Sequence, residues 1–199
     1  MAEQRIILGI DPGLAHTGWG VVQQAGSHLS CVAYGCVTTA AQSSLPERLA
    51  KINEQIAAVI AKYAPTAVGI ESVWFGDNTS SAFATGQARG AALVACAGMD
   101  VAEFTPRQIK LAIVGTGTAE KEQVQFMVQK LLGLPALPEP DHAADALAAA
   151  ICFTTQNILS QVEQNPLGQN PPSPNSHWEK SSDPFSHWEK SSVPKFPGS

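Results

Sequence analysis

The sequence predicts an α/β fold in which one mixed five-stranded sheet carries helices on both faces. Three strand-like apolar runs follow one another with only turns between them, as in an antiparallel meander. Helical and strand patterns then alternate, which favours parallel strands joined by helices. A chain of 199 residues with 44% hydrophobic side chains can build such a core as one main domain.

The first strand delivers a carboxylate to its tip. It covers Ile6–Ile10 and ends in Asp11 and a Pro-Gly pair, which is a turn sequence. A second strand over Gly18–Val22 returns beside it, and a third covers 29–38. Asp11 could cap the turn, or it could bind a metal or a proton, because an unpartnered buried carboxylate is costly.

Beyond the meander, helical and strand-like segments alternate, and in the first helical segment apolar residues recur every three to four positions. The predicted elements are a helix over 44–63, a strand over 66–71, a helix over 80–97, a strand over 101–104, and helices over 107–114, 119–132 and 141–159. The fourth strand again ends in a carboxylate, Glu71. In this topology the first and fourth strands can lie side by side and parallel, so Asp11 and Glu71 would emerge at the same end of the sheet.

A third acidic contribution comes from the start of the last helix. Asp145 lies in an otherwise apolar helical segment, and both His142 and Asp141 share a helix face with it. Spacing alone does not choose between them: Asp141 could cap the helix, and His142 could be an ordinary surface histidine. Ligands from two strand tips and one helix start indicate a divalent-metal site suited to phosphodiester hydrolysis. Carboxylate oxygens favour Mg²⁺, and a histidine ligand shifts the preference towards Mn²⁺.

The charge distribution fits an enzyme that handles phosphate. The net charge of −5 argues against a nonspecific nucleic-acid binder. A local basic strip nevertheless follows the fifth strand: Arg107, Lys110, Lys121 and Lys130. These side chains could contact phosphate or lie on a solvated helix face, and we favour the solvated face for Lys130.

The chain as a whole is predicted to be a cytoplasmic protein with a folded domain over 1–160. No stretch of eighteen predominantly apolar residues is present, so no membrane span is expected. Beyond residue 165 lie seven of the fourteen prolines, and the segment SHWEKSS occurs twice. We interpret 161–199 as a disordered tail.

Six blocks occur in order along residues 5–158: ILGIDPGLAHTGWG, GIESVWF, GQARG, TPRQIK, GTGTAEKEQV and HAADALA. Together they resemble the RuvC family of Holliday-junction resolvases, which have a ribonuclease H-like fold. The resemblance implies four catalytic, metal-binding residues, namely Asp11, Glu71, His142 and Asp145. It leaves Asp141 outside the site. With this ligand set we expect Mg²⁺, two ions per active site, with Mn²⁺ as the alternative.

The resemblance also implies a set of DNA-binding residues, namely Trp74, Phe75, Arg107, Lys110 and Lys121. Trp74 would lie near the junction crossover, where it could stack on a base or simply pack at the strand end.

The implied activity is the resolution of Holliday junctions by symmetric paired nicks in DNA recombination and repair. Metal-activated water would attack the phosphodiester and leave 5′-phosphate and 3′-hydroxyl ends. The implied partners are four-way junction DNA, a second copy of the chain, and the RuvA–RuvB branch-migration complex. Two alternatives are a junction-binding module without catalysis, which would not need the intact carboxylates, and an actin-like ATPase or sugar kinase, which needs a second domain.

Overall fold

The computed structural model describes residues 4–72 and 79–164, with the backbone alone for 79–80 and 156–164. The chain divides into two units, Met1–Ser160 and Gln161–Ser199. The tail predicted to be disordered lies outside the described residues from 165 onward, so it stays a prediction. No helix within the described ranges has the length and apolarity that crossing a membrane requires.

The secondary structure follows the predicted order of elements. The strands are β1 (Gln4–Asp11), β2 (His16–Ala25), β3 (His28–Thr38), β4 (Ala67–Glu71) and β5 (Asp100–Phe104). The helices are α1 (Leu45–Tyr63), α2 (Thr79–Ala95), α3 (Pro106–Val114), α4 (Lys121–Leu131) and α5 (Asp141–Gln164). The last helix extends beyond its predicted end at residue 159.

The five strands form one sheet in the order β3-β2-β1-β4-β5. β1 pairs antiparallel with β2, and β2 pairs antiparallel with β3. β4 is parallel to β1, and β5 is parallel to β4. Ile10 pairs with Ile70, so Asp11 and Glu71, one residue further along, end neighbouring strands at the same edge. The predicted mixed sheet is confirmed.

Helices cover both faces of the sheet because successive strand residues point to opposite sides. Leu8 of β1 belongs to the core cluster that packs against α1 and α2. Its neighbour Ile7 belongs to the cluster that packs against α3, α4 and α5. Both side chains have no exposed surface. The predicted three-layer arrangement therefore holds, with α3, α4 and α5 grouped on one face.

The helix α3 begins at a capping box formed by Thr105 and Gln108. The side chain of Thr105 accepts a hydrogen bond from the backbone N–H of Gln108 at 3.2 Å, and the Gln108 side chain accepts one from the Thr105 N–H at 2.9 Å. Pro106 occupies the first helical turn, where a missing N–H costs nothing. This capping box fixes the start of the helix that carries Arg107 and Lys110.

Helix α5 lies directly against the strand backbones in a groove lined by glycines, here called the glycine groove (Gly9, Gly18 and Gly69). A Cβ atom at Gly9 would lie 1.8 Å from the Ala146 carbonyl oxygen. One at Gly18 would lie 1.8 Å from the carbonyl oxygen of His142. One at Gly69 would lie 2.4 Å from that of Ala149, so all three positions exclude any side chain. The groove therefore sets how deep α5 lies and which residues its first turns present to the ends of β1 and β4.

Candidate active site

The four predicted metal ligands come together where β1 and β4 end. Asp11 is the last residue of β1 and Glu71 the last of β4, while His142 and Asp145 lie in the first two turns of α5. Asp11, His142 and Asp145 each offer a ligand atom, and these atoms lie within 4.8 Å of one another. Glu71 lines the same cavity as Asp145. The site is thus a cluster of three carboxyl groups and one imidazole.

Asp11 is held by His142. The His142 Nδ1 and the Asp11 Oδ2 are 2.7 Å apart, which is a short hydrogen bond from ring to carboxylate. This bond raises the pKa of His142, and the opposing effect of burial is smaller. The turn after Asp11 is closed by another side chain, because the Thr17 hydroxyl donates to the Gly13 carbonyl at 2.7 Å. The turn-capping role considered for Asp11 thus falls to Thr17.

The ionised form of the Glu71 carboxyl group is disfavoured by its surroundings. Burial, followed by the negative charges of Asp11 and Asp145, raises the pKa of Glu71 to about 8. Lys121 and His142 oppose the shift without cancelling it. A divalent cation among these carboxylates would reverse the balance and favour the ionised form. The donor set, three carboxylates and one imidazole, fits Mg²⁺ or Mn²⁺.

The metal-free protein is therefore expected to lose stability as the pH rises from about 4.5 to about 8. In that window folded Glu71 keeps a proton that the unfolded chain releases, so its stabilising contribution is complete below about 4.5 and is lost as pH passes the folded pKa of about 8. The raised pKa values of Asp145 and His142 act in the same direction. Denaturant unfolding with EDTA at about pH 5.5 and 8.5 should differ by a few kcal/mol. Glu71→Gln should flatten this dependence, and an unchanged slope in that variant would contradict the assignment.

A bridge of charged groups links α4 to the start of α5. The Lys121 ammonium lies 3.0 Å from Asp141 Oδ2 and 3.5 Å from Asp145 Oδ2. Hydrogen bonds from Lys121 and Gln125 lower the pKa of Asp141. Burial raises the pKa of Asp145, and Lys121 offsets part of that rise. The capping role considered for Asp141 is not what the structure shows, since its carboxylate turns to α4 instead.

A cavity of about 250 Å³ opens beside the acidic groups. Its lining combines apolar side chains of α3 and α4 with charged ones: Glu71, Pro106, Ile109, Lys110, Lys121, Val124 and Asp145. Two members of the basic strip, Lys110 and Lys121, thus border the same space as two of the carboxylates. Such a cavity can bind a phosphate group. The lysine ammonium groups would balance its charge on one side, and cations held by the carboxylates would balance it on the other.

Of the other predicted DNA-binding residues, the structure describes Arg107 alone. Arg107 is exposed on the first turn of α3, and its side chain lies so close to Gly117 that a Cβ there would be 2.7 Å from the Arg107 Cγ. Lys130 lies over the Phe126 ring at 5.1 Å, which agrees with the solvated helix face favoured for it. Trp74 and Phe75 fall within residues 73–78, outside the described residues.

One residue at the site was not anticipated from the sequence. The His16 ring stacks on the His142 ring, with centroids 5.5 Å apart and an interplanar angle of 18°. The Thr38 hydroxyl lies 3.4 Å from the His16 Nδ1. The available signal was topological: β2 begins at the edge where β1 ends, so its first side chain lies next to Asp11.

Comparison with known proteins decides the family. The model of the family described as crossover junction endodeoxyribonuclease RuvC matches residues 7–153. The RuvC of Syntrophomonas wolfei is 47% identical over 156 residues, covering 77% of this chain and 91% of the relative. The RuvC of Hyphomonas neptunium is 53% identical over 148 residues, covering 73% and 88%. The chain belongs to the RuvC family.

Solved structures extend the RuvC likeness to three dimensions. The RuvC of T. thermophilus, solved in complex with a Holliday junction substrate, is 36% identical and superposes with a TM-score of 0.74. The match covers 78% of this chain and 96% of that one. The yeast mitochondrial Holliday junction resolvase Ydc2 shares the fold at 13% identity and a TM-score of 0.58. The predicted membership of the RuvC family and its ribonuclease H-like sheet are both confirmed.

Proposed function

We propose that this chain is a metal-dependent endonuclease that resolves Holliday junctions by symmetric paired nicks in DNA recombination and repair. One observation carries the proposal: in a member of the RuvC family, Asp11, His142 and Asp145 converge within 4.8 Å of one another. Glu71 lies beside them on a cavity that two lysines also border. A cluster of carboxylates that can bind divalent cations, next to ammonium groups that can bind phosphate, is suited to the hydrolysis of a phosphodiester.

The divalent cations, Mg²⁺ with Mn²⁺ as the alternative, would supply Lewis-acid activation of water and of the scissile phosphate. Asp11, Glu71, His142 and Asp145 would hold them. Asp11 would hold a cation together with His142, to which its carboxylate is hydrogen-bonded at 2.7 Å. Attack of water on the phosphorus, in line with the leaving 3′ oxygen, would give a 5′-phosphate and a 3′-hydroxyl. A ligase can seal such ends.

Phosphate binding is assigned to the basic strip. Lys110 and Lys121 border the cavity, so their ammonium groups would neutralise charge on the phosphate that is cut. Arg107, exposed on the first turn of α3, would contact a neighbouring phosphate. Trp74 and Phe75 follow Glu71 in the sequence and would stack on bases near the crossover.

The direct test is incubation of the purified protein with a synthetic mobile four-way junction, each strand labelled in turn, with Mg²⁺ or Mn²⁺. Paired nicks in two opposing strands that a ligase then seals are the expected products. A linear duplex of the same sequence should stay intact. A protein that binds the junction and leaves it uncut with either ion would instead support the binding-module alternative.

A second copy of the chain is proposed as a partner because α2 presents a largely exposed apolar face in the part of the chain that the structure describes. Phe83 is 67% exposed and Val94 is 69% exposed. Between them, Gly86 and Gly90 have open space around their Cβ positions. These four positions share one helix face, and their small residues would allow two helices to approach closely. A twofold axis there would give two active sites for two strands.

We expect Phe83→Asp to convert the protein to a monomer, because a charge on this face opposes burial in an interface. Sedimentation equilibrium measures the change, and paired junction nicks should become single nicks. Phe126→Asp is the matched control, since Phe126 is another exposed phenylalanine, at 51%, but lies on α4. A dimer that survives Phe83→Asp would place the interface elsewhere.

The RuvA–RuvB branch-migration complex is proposed as a further partner, and family membership is the only support for it.

A further inference from the structure

The Asp141 carboxylate contacts two side chains of α4. Its Oδ2 lies 3.0 Å from the Lys121 ammonium, and its Oδ1 accepts a hydrogen bond from the Gln125 amide at 3.0 Å. Lys121 and Gln125 are one helical turn apart, so they share a face of α4. Asp141 itself is the first residue of α5, immediately before His142. A side chain outside the proposed ligand set thus connects the lysine helix to the ligand helix.

Lys121 is shared between two carboxylates with different roles. It lies closer to Asp141, at 3.0 Å, than to the proposed metal ligand Asp145, at 3.5 Å. At Asp145, the Lys121 ammonium would be repelled by a bound divalent cation and would lose Asp145 as its counter-charge. A lysine with no other partner would then move into solvent, because its four-carbon stem is flexible. Asp141 offers the ammonium a partner that the cation does not displace.

We propose that Asp141 is a positioning residue that draws the Lys121 ammonium away from Asp145 and keeps it at the rim of the cavity when a divalent cation binds. The inference rests on the proposed function, since it assigns the cation to Asp145 and the phosphate to the cavity. It has two consequences. Cation binding competes less with Lys121, and the ammonium group stays in reach of the phosphate.

Asp141→Asn removes the charge but keeps an oxygen that can accept from Gln125. We expect Mn²⁺ binding, followed by the electron paramagnetic resonance signal of the free ion, to weaken roughly tenfold. The junction cleavage rate at saturating Mg²⁺ and DNA should also fall roughly tenfold, with little change in KM. Asp141→Glu should restore most of both losses because it restores the charge.

The control for general electrostatics is Glu122→Gln. Glu122 is exposed on the first turn of α4 and makes no ion pair with any residue that the structure describes, so its loss removes one negative charge without touching the bridge. It should change Mn²⁺ affinity much less than Asp141→Asn does. In a Lys121→Met background, Asp141→Asn should weaken Mn²⁺ binding no more than Glu122→Gln does. A full tenfold effect in that background would show that Asp141 does not act through Lys121 and would overturn the proposal.

The outcomes separate this inference from the proposed function. A wild-type protein that leaves the junction intact contradicts the proposed function. A wild-type protein that cuts, with Asp141→Asn equal to it in rate and in Mn²⁺ affinity, overturns the role of Asp141 alone. Cleavage lost more completely in Asp141→Asn than in His142→Ala would make Asp141 a metal ligand, which also overturns the positioning role.

Discussion

Replacing Asp11 with asparagine is expected to lower junction cleavage by about a thousandfold or more, because loss of a residue in the proposed metal-ligand set would forfeit several kcal/mol of transition-state stabilisation. Asparagine fills the same space, so β1 and its turn should fold as before. The Asp11 carboxylate accepts from His142 at 2.7 Å and lies within 4.8 Å of Asp145, so its loss affects the ligands around it as well. Junction binding should persist because the basic strip is untouched.

Single-turnover cleavage of the labelled junction and a gel-shift assay without divalent cation measure the two quantities separately. Asp100→Asn is the matched control. Asp100 begins β5 and pairs with Ala67, so it lies at the opposite end of the sheet from Asp11. Its replacement should leave cleavage within a few-fold of wild type. Unimpaired cleavage by Asp11→Asn would refute the proposed mechanism.

Replacing Gly9 with alanine is expected to lower the free energy of unfolding by about 3 kcal/mol or more. The new methyl carbon would lie 1.8 Å from the Ala146 carbonyl oxygen and 2.8 Å from the Ala150 nitrogen. Both are backbone atoms of α5, so no side-chain rotation relieves the overlap. The helix must move off the sheet, or β1 must shift within it.

Urea unfolding with EDTA at a fixed pH measures the loss, and Gly35→Ala is the control. Gly35 is also a strand glycine, on the edge strand β3, but its added methyl carbon would meet the Trp19 ring at 2.8 Å. A side chain can shift where a helix backbone cannot, so the smaller loss is expected at Gly35. Equal losses at both positions would contradict the picture of α5 held in backbone contact.

The carboxylates were predictable because each broke a local pattern. Asp11 and Glu71 end apolar strands, and Asp145 interrupts an apolar helix, so burial and charge conflict visibly in the sequence. The choice between Asp141 and His142 was different. Both lie within one turn of Asp145, and helical spacing is equally good for either.

The rotation of α5 about its axis determines which of the two side chains faces Asp11, and that rotation depends on the contact of the helix with the sheet. Gly18 lies under the His142 carbonyl, and the His142 ring turns to Asp11 while Asp141 turns to Lys121. The Lys121 bridge was unpredictable for the same reason, because it depends on how α4 and α5 lie relative to each other. The stacking of His16 likewise depends on a neighbour that is distant in sequence.

The glycine groove determines which positions around the site tolerate substitution and which do not. Since α5 touches the strands through main-chain atoms, its position does not depend on the identity of the side chains that project from its opening turns. Exchange of the imidazole at position 142 for a carboxylate should therefore leave the helix backbone in place, while it removes the hydrogen bond to Asp11 and shifts the proposed site towards hard metals. The strand glycines cannot be exchanged in the same way. A methyl group on one of them would push α5 away from the sheet and displace His142 and Asp145 with it.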